Sequence, residues 1–344
     1  MDAVTDAPDR SAAYVEMQLA VSTIAASFIV AASQVVDAQW ETLGARPAQQ
    51  PAAGTIIDPE ALLLLSAWLF PRRPALRDTV HDWVARWSDL LSVQRTRNIA
   101  RAFPDSVQPE LRAIAVTAHE RGKDFRWSPV IQGSGVRTRN TDVVDVEALR
   151  PADASPPTGV SRLAVDREAL LLLRFRMAFG VGARADALAY LLARGGIWST
   201  VTEVAQATGY TPSAIRRALD RMADAQIVLT VNDGATRYRC DASPWSMLLG
   251  LQNTVTPWSY ALQHFAFLAT FVEWAEAVAR RKLTAYAIGE QLRGIARNFR
   301  PTDDRDGLRA WEAAFRDGST MREMLQALRA IVVPLHSTAA TLGI

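Results

Sequence analysis

Residues 200–240 read TVTEVAQATGYTPSAIRRALDRMADAQIVLTVNDGATRYRC. Thr200 stands at a helix N-cap, with Glu203 three residues on at capping-box spacing. Val201, Val204 and Ala205 form the apolar face of that helix, and the alanine lets a neighbouring helix approach closely. Thr208-Gly209-Tyr210 is a turn in which Gly209 supplies the positive φ of a tight helix–helix connection. Thr211 then caps a second helix with Pro212 at its first position. Ile215, Ala218, Leu219 and Met222 recur at helical spacing and predict its buried stripe. Its other face presents Ser213, Arg216, Arg217, Asp220 and Arg221. Ile227–Val231 alternates as a strand, Asn232-Asp233-Gly234-Ala235 signals a hairpin, and Thr236–Cys240 returns. On the return strand Arg237 and Arg239 share one face and Tyr238 takes the other. Upstream, RADALAYLLAR (184–194) predicts a preceding helix ended by Gly195-Gly196.

The phrases TVTEVAQATGYTPSAIRRALDRMADAQIV and LTVNDGATRYRC together resemble a winged helix-turn-helix, similar to bacterial transcriptional regulators of the MarR and ArsR kind. The resemblance covers about 57 of the 344 residues, 184–240. FGVGARADALAYLLAR (179–194) is similar to uncharacterised bacterial winged-helix proteins and adds no activity. The family usually has glycine before the first wing strand, whereas this chain has Gln226. What the resemblance implies is duplex-DNA binding and transcription regulation, with the helix after Thr211 reading the major groove. The expected DNA-binding set is Thr211, Ser213, Ala214, Arg216, Arg217 and Asp220 on that helix, with Arg237 and Arg239 on the wing. Physical chemistry points the same way. A helix N-terminus suits a phosphate, and arginine is a fork for guanine or phosphate. Segment 184–240 holds seven arginines against five acids. So small a surplus predicts weak, salt-sensitive binding by one copy, and hence a homodimer. The alternative is a helical scaffold or antitoxin-like protein whose winged helix binds protein.

Composition sets the frame around this module. At 49% hydrophobic and 22% charged residues, the chain of 344 is globular rather than disordered, and its length suggests two or three domains. One cysteine, Cys240, excludes a disulfide scaffold or a multi-cysteine metal site. The four histidines, His81, His119, His264 and His336, lack metal-ligand spacing. No metal ligand or cofactor is therefore expected, and a reducing, cytoplasmic setting fits. Of 38 basic residues only Lys123 and Lys282 are lysine, an imbalance that a GC-rich genome explains, and the net charge is +2. Nucleic-acid binding, if present, is local rather than spread over the surface.

The remaining chain reads as mostly helical, with strand signals confined to the 227–240 ribbon. Met17–Val36 is a run of twenty uncharged residues, long enough to span a bilayer. An acid-rich flank, six Ser/Thr/Gln dilutions and the absence of a Lys/Arg cluster favour a buried or dimerising helix, with a membrane tether as the alternative. Leu19, Val21, Ile24, Phe28 and Val35 share part of its apolar face. After a Pro/Gly/Ala-rich linker at 45–55, helices are expected at 59–70, 75–88, 93–103 and 109–120. Gln94, Arg95, Arg97 and Asn98 offer a possible second DNA surface, against the alternative of a scaffold helix's polar face. The division expected is 1–44 (apolar helix, dimerisation), 56–131 (helical domain), 132–162 (linker), 163–242 (winged helix) and 243–344 (helical bundle).

No P-loop, GxSxG, HExxH or dinucleotide fingerprint occurs, so no catalytic residue is assigned and the chain is not read as an enzyme. Gly133-Ser134-Gly135 followed by Asp142 and Asp145 is only faintly similar to a nucleotidyltransferase pattern, because the aspartates are three apart instead of two. Aromatic residues of the C-terminal bundle, and Trp83 and Trp87 around His81, serve either as core or as the lining of a site for an unidentified small-molecule effector.

Overall fold

The computed structural model describes residues 10–46, 54–132, 163, 165–250, 256–281, 283–297, 299 and 305–340. The expected linker 132–162, with Gly133, Asp142 and Asp145, lies almost wholly outside the described residues. In chain order the first helices are α1 (Arg10–Thr42), α2 (Pro59–Leu69), α3 (Pro74–Trp87), α4 (Val93–Ile99), α5 (Val107–Glu120), α6 (Ser128–Ile131), α7 (Leu171–Phe179) and α8 (Ala183–Ala193). There follow β1 (Ser199–Thr200), α9 (Val201–Thr208), α10 (Pro212–Asp224), β2 (Leu229–Asp233), β3 (Ala235–Arg239) and α11 (Ala242–Leu249). The last are α12 (Ala261–Ala279), α13 (Ala285–Ala296), α14 (Arg305–Phe315) and α15 (Met321–Ala340). The fold is thus mostly α with a small three-stranded antiparallel sheet.

Two compact units divide the chain, residues 1–35 with 263–337 and residues 36–262 with 338–344. The larger is built on α2. Its sequence, PEALLLLSAWL, is apolar on all sides, and every one of its residues is buried. Asp58 caps it, its Oδ1 accepting from Ala61 N at 3.1 Å, with Pro59 in the first turn. Trp40 donates its indole N–H to Ser66 Oγ of α2 at 2.9 Å, and its ring meets Trp83 of α3 edge-on at 5.3 Å. The segments 56–131 and 163–242, expected as separate domains, fall in this one unit.

In the sheet, the strand order is β1-β3-β2. Thr200 pairs with Arg237, Val231 with Arg237 and Leu229 with Arg239, so these side chains share one face. Ser199, Thr230 and Tyr238 line the other. The expected two-stranded ribbon thus gains β1, whose two residues are too few to show an alternating pattern in the sequence.

In the smaller unit, α1 buries Met17, Val21, Ile24, Phe28, Ala31 and Val35, spaced to share one face. Phe28 packs edge-on against Phe271 of α12 at 5.1 Å. Leu19, expected on that face, is 66% exposed, since it falls between the buried positions 17 and 21. By length and composition α1 is the one described helix long and apolar enough to cross a membrane, and 44% of its most apolar window is buried inside the protein.

Candidate functional site

The residues expected to form a DNA surface converge on α10. Both halves of the Thr200–Glu203 capping box are made, with Glu203 N donating to Thr200 Oγ1 at 3.2 Å and Thr200 N to Glu203 Oε2 at 2.6 Å. Gly209 ends α9 at φ +72°. Thr211 caps α10 by accepting from Ala214 N at 3.3 Å, and Pro212 occupies the first turn. Ile215, Ala218, Leu219 and Met222 are buried as the spacing predicts. Thr211, Ser213, Arg216, Arg217, Asp220 and Arg221 face solvent, and Ala214 is half-buried. Gln226 adopts φ +59°, so this side chain takes the left-handed geometry that glycine accepts without strain.

Two members of the expected set are already engaged. Tyr238, buried on β3, donates its hydroxyl to Asp220 Oδ1 at 2.6 Å, which ties the hairpin to α10. Burial, then the bond to Asp220 and its charge, pushes that phenol up to about 12. Asp220 is therefore a brace with one oxygen occupied. Arg239 is half-buried, its guanidinium 4.7 Å from the Trp198 ring centroid. Arg237 is exposed, and so are Leu229 and Val231 on the same face at 47% and 37%. Cys240 is buried, and burial pushes its thiol up to about 12, which fits a packing residue and not a thiolate nucleophile.

The second expected surface, Gln94, Arg95, Arg97 and Asn98, does not form one. Ser92 caps α4, accepting from Arg95 N at 3.3 Å. Arg95 is completely buried. Gln94 is exposed and donates to Asn98 Oδ1 at 3.1 Å, while Arg97 and Asn98 are half-buried. Arg95 instead belongs to an internal ion cluster. Its Nη1 donates to Asp58 Oδ1 at 2.7 Å and to Glu60 Oε2 at 2.5 Å, its Nη2 to Asp58 Oδ2, and its Nε to the Thr208 carbonyl at the end of α9. Arg176 of α7 donates to Asp186 Oδ1 at 2.8 Å, Glu60 Oε1 at 2.6 Å and the Leu90 carbonyl at 2.9 Å. Ser92 N also donates to Glu60 Oε1 at 2.6 Å. Burial disfavours the charge of both guanidiniums, yet the surrounding carboxylates hold both above the ordinary arginine range. Burial likewise raises Asp58, but Arg95, the Ala61 amide and Arg176 outweigh it and leave the carboxyl below its usual range.

Sequence reasoning missed this cluster. Its signals were present: two acids at the start of the apolar helix 59–69 and an arginine inside LLLLRFRMAF. The cluster reaches the module through its turn. A Cβ on Gly209 would lie 2.5 Å from Ile99 Cγ2 of α4, so only glycine fits there. Among the described residues no group of His, Cys, Asp and Glu is arranged to hold a metal ion. No family model, curated protein or solved structure matches this chain.

Proposed function

We propose that the protein is a DNA-binding transcriptional regulator of the winged helix-turn-helix class, in which α10 enters the major groove of duplex DNA and the β2–β3 hairpin is the wing. The observation that carries the reading is the two-sidedness of α10. One side is fixed in the core by Ile215, Leu219 and Met222, while Thr211, Ser213, Arg216 and Arg217 stand in solvent at its N-terminal half. The wing strand β3 adds exposed Arg237. Bracing by Tyr238–Asp220 and Trp198–Arg239 leaves Arg216, Arg217 and Arg237, of the expected contacts, as the cations for phosphate and base edges. Three contacts from one copy bind weakly at physiological salt, so the regulator acts as a homodimer on paired half-sites.

A second reading has its own support. Exposed Leu229 and Val231 beside Arg237 suit a protein partner better than a phosphate backbone, as in a scaffold or antitoxin-like protein. Fluorescence anisotropy with labelled duplex DNA separates the two. The Arg216→Ala/Arg217→Ala double variant is expected to weaken binding and to lower the slope of log affinity against log salt by about 2. Unchanged affinity and slope would reject DNA binding by α10 and favour the protein-binding reading.

A further inference from the structure

The smaller unit holds a cleft that plays no part in the reading of α10. Its volume is about 360 Å³, within the range of small-molecule sites. On α14, Leu308, Trp311, Glu312 and Phe315 lie at i, i+3, i+4 and i+7, so one stripe of the helix lines it. Arg293 on α13, Arg297 at its C-cap one turn on, and Phe299 also line it.

The rings are held in place. Trp311 is buried, donates its indole N–H to the Ala296 carbonyl at 3.4 Å and packs against Phe315 at 4.3 Å. Phe299 meets Trp311 edge-on at 5.2 Å and stacks on Phe267 at 4.0 Å. Such fixed faces receive a flat apolar ring at little ordering cost.

The polar groups are only partly satisfied. Arg293 has a side chain 12% exposed. Its Nη1 pairs with Glu290 at 2.5 Å and its Nη2 donates to the Ser319 carbonyl at 3.2 Å. Its Nε is buried and has no hydrogen-bond partner among the described residues. Arg297 is exposed and forms no ion pair among the described residues. The Arg293 Nε has no surface open to a ligand, so the receptor for a planar anion is the exposed Arg297 guanidinium. Glu312 on the α14 stripe opposes a second negative charge, which favours a carboxylate over a phosphate dianion.

We propose that this cleft binds a small aromatic monocarboxylate, its ring against Trp311, Phe299 and Phe315 and its carboxylate on Arg297. Binding there is independent of whatever α10 recognises.

Isothermal titration of the full chain with indole-3-acetate, indole-3-acetamide and tryptamine tests it. The acetate is expected to bind, the amide about tenfold more weakly, and tryptamine more weakly still. Arg297→Gln should cost the acetate about tenfold. Glu312→Gln should tighten it by about threefold, a gain that a misfolded variant does not produce. The proposal is overturned if millimolar acetate gives no binding, or if acetate and amide bind alike. It is equally overturned if Arg297→Gln leaves the affinity unchanged or Glu312→Gln fails to raise it.

Discussion

His81 lies on α3 facing α5, 4% exposed, with Nδ1 2.5 Å from Thr117 Oγ1 and its ring tilted against Phe70. Its Nε2 is buried without a partner among the described residues. Burial, followed by the charges of Arg77 and Arg121, lowers its pKa to about 4, against smaller opposing effects of Asp78 and Asp82. The folded protein therefore keeps this imidazole neutral over a range in which the unfolded chain protonates it. Stability from this group is present above the unfolded pKa near 6.5 and is lost as pH falls from there toward about 4. Urea unfolding at stepped pH should show a slope of up to about 1.4 kcal/mol per pH unit in that window. His81→Phe should flatten it, and an equally steep slope in that variant would show that His81 is not the titrating group. Trp83, two residues further along α3, is fully buried and donates to the Leu43 carbonyl at 3.3 Å. What was legible at this scale was local. Asp58, Ser92, Thr200 and Thr211 cap helices whose amides lie within three residues of them. Arg95 was illegible because its partners lie 35, 37 and 113 residues away in sequence.

The helix pair α9–α10 was legible as an element because its turn, caps and apolar stripe are all encoded within it. What holds the pair was not, because α4 looks like a surface helix by its polar residues and is pressed against the turn instead. Two glycines separate backbone strain from that contact. Gly209 at φ +72° faces Ile99, whereas Gly234 at the hairpin tip, φ +73°, would meet nothing within 4 Å if it carried a Cβ. Gly234→Ala should cost about 1 kcal/mol from backbone conformation alone. Gly209→Ala adds an overpacking cost and should reach about 2–4 kcal/mol. Thermal unfolding of the two variants measures the difference. Equal losses would mean that α4 yields freely and does not buttress the turn.

Across the larger unit, the ion cluster binds together elements that the sequence presents as separate domains. Two guanidiniums and three carboxylates, all at most 3% exposed, draw on the start of α2, on α4, α7 and α8, and reach the last carbonyl of α9. Ions removed from water this completely are held only by one another, so deleting one leaves its partners buried and uncompensated. The count also leaves one carboxylate in excess, which makes the arginines the harder members to lose. Arg176→Met should therefore destabilise the protein by about 3–5 kcal/mol in urea unfolding. Asp186→Asn removes the surplus negative charge, keeps an acceptor for Arg176, and should cost less. If the arginine variant loses no more than the asparagine variant, the cluster is not the interlock its geometry describes. The same pair bears on the proposed function. Arg95 fixes the Thr208 carbonyl only while the acids around it are themselves fixed. Loosening the cluster through Arg176 should thus speed amide hydrogen exchange at the α9–α10 turn, in a different element from the substitution, before it affects the Thr211 cap, which is satisfied within α10.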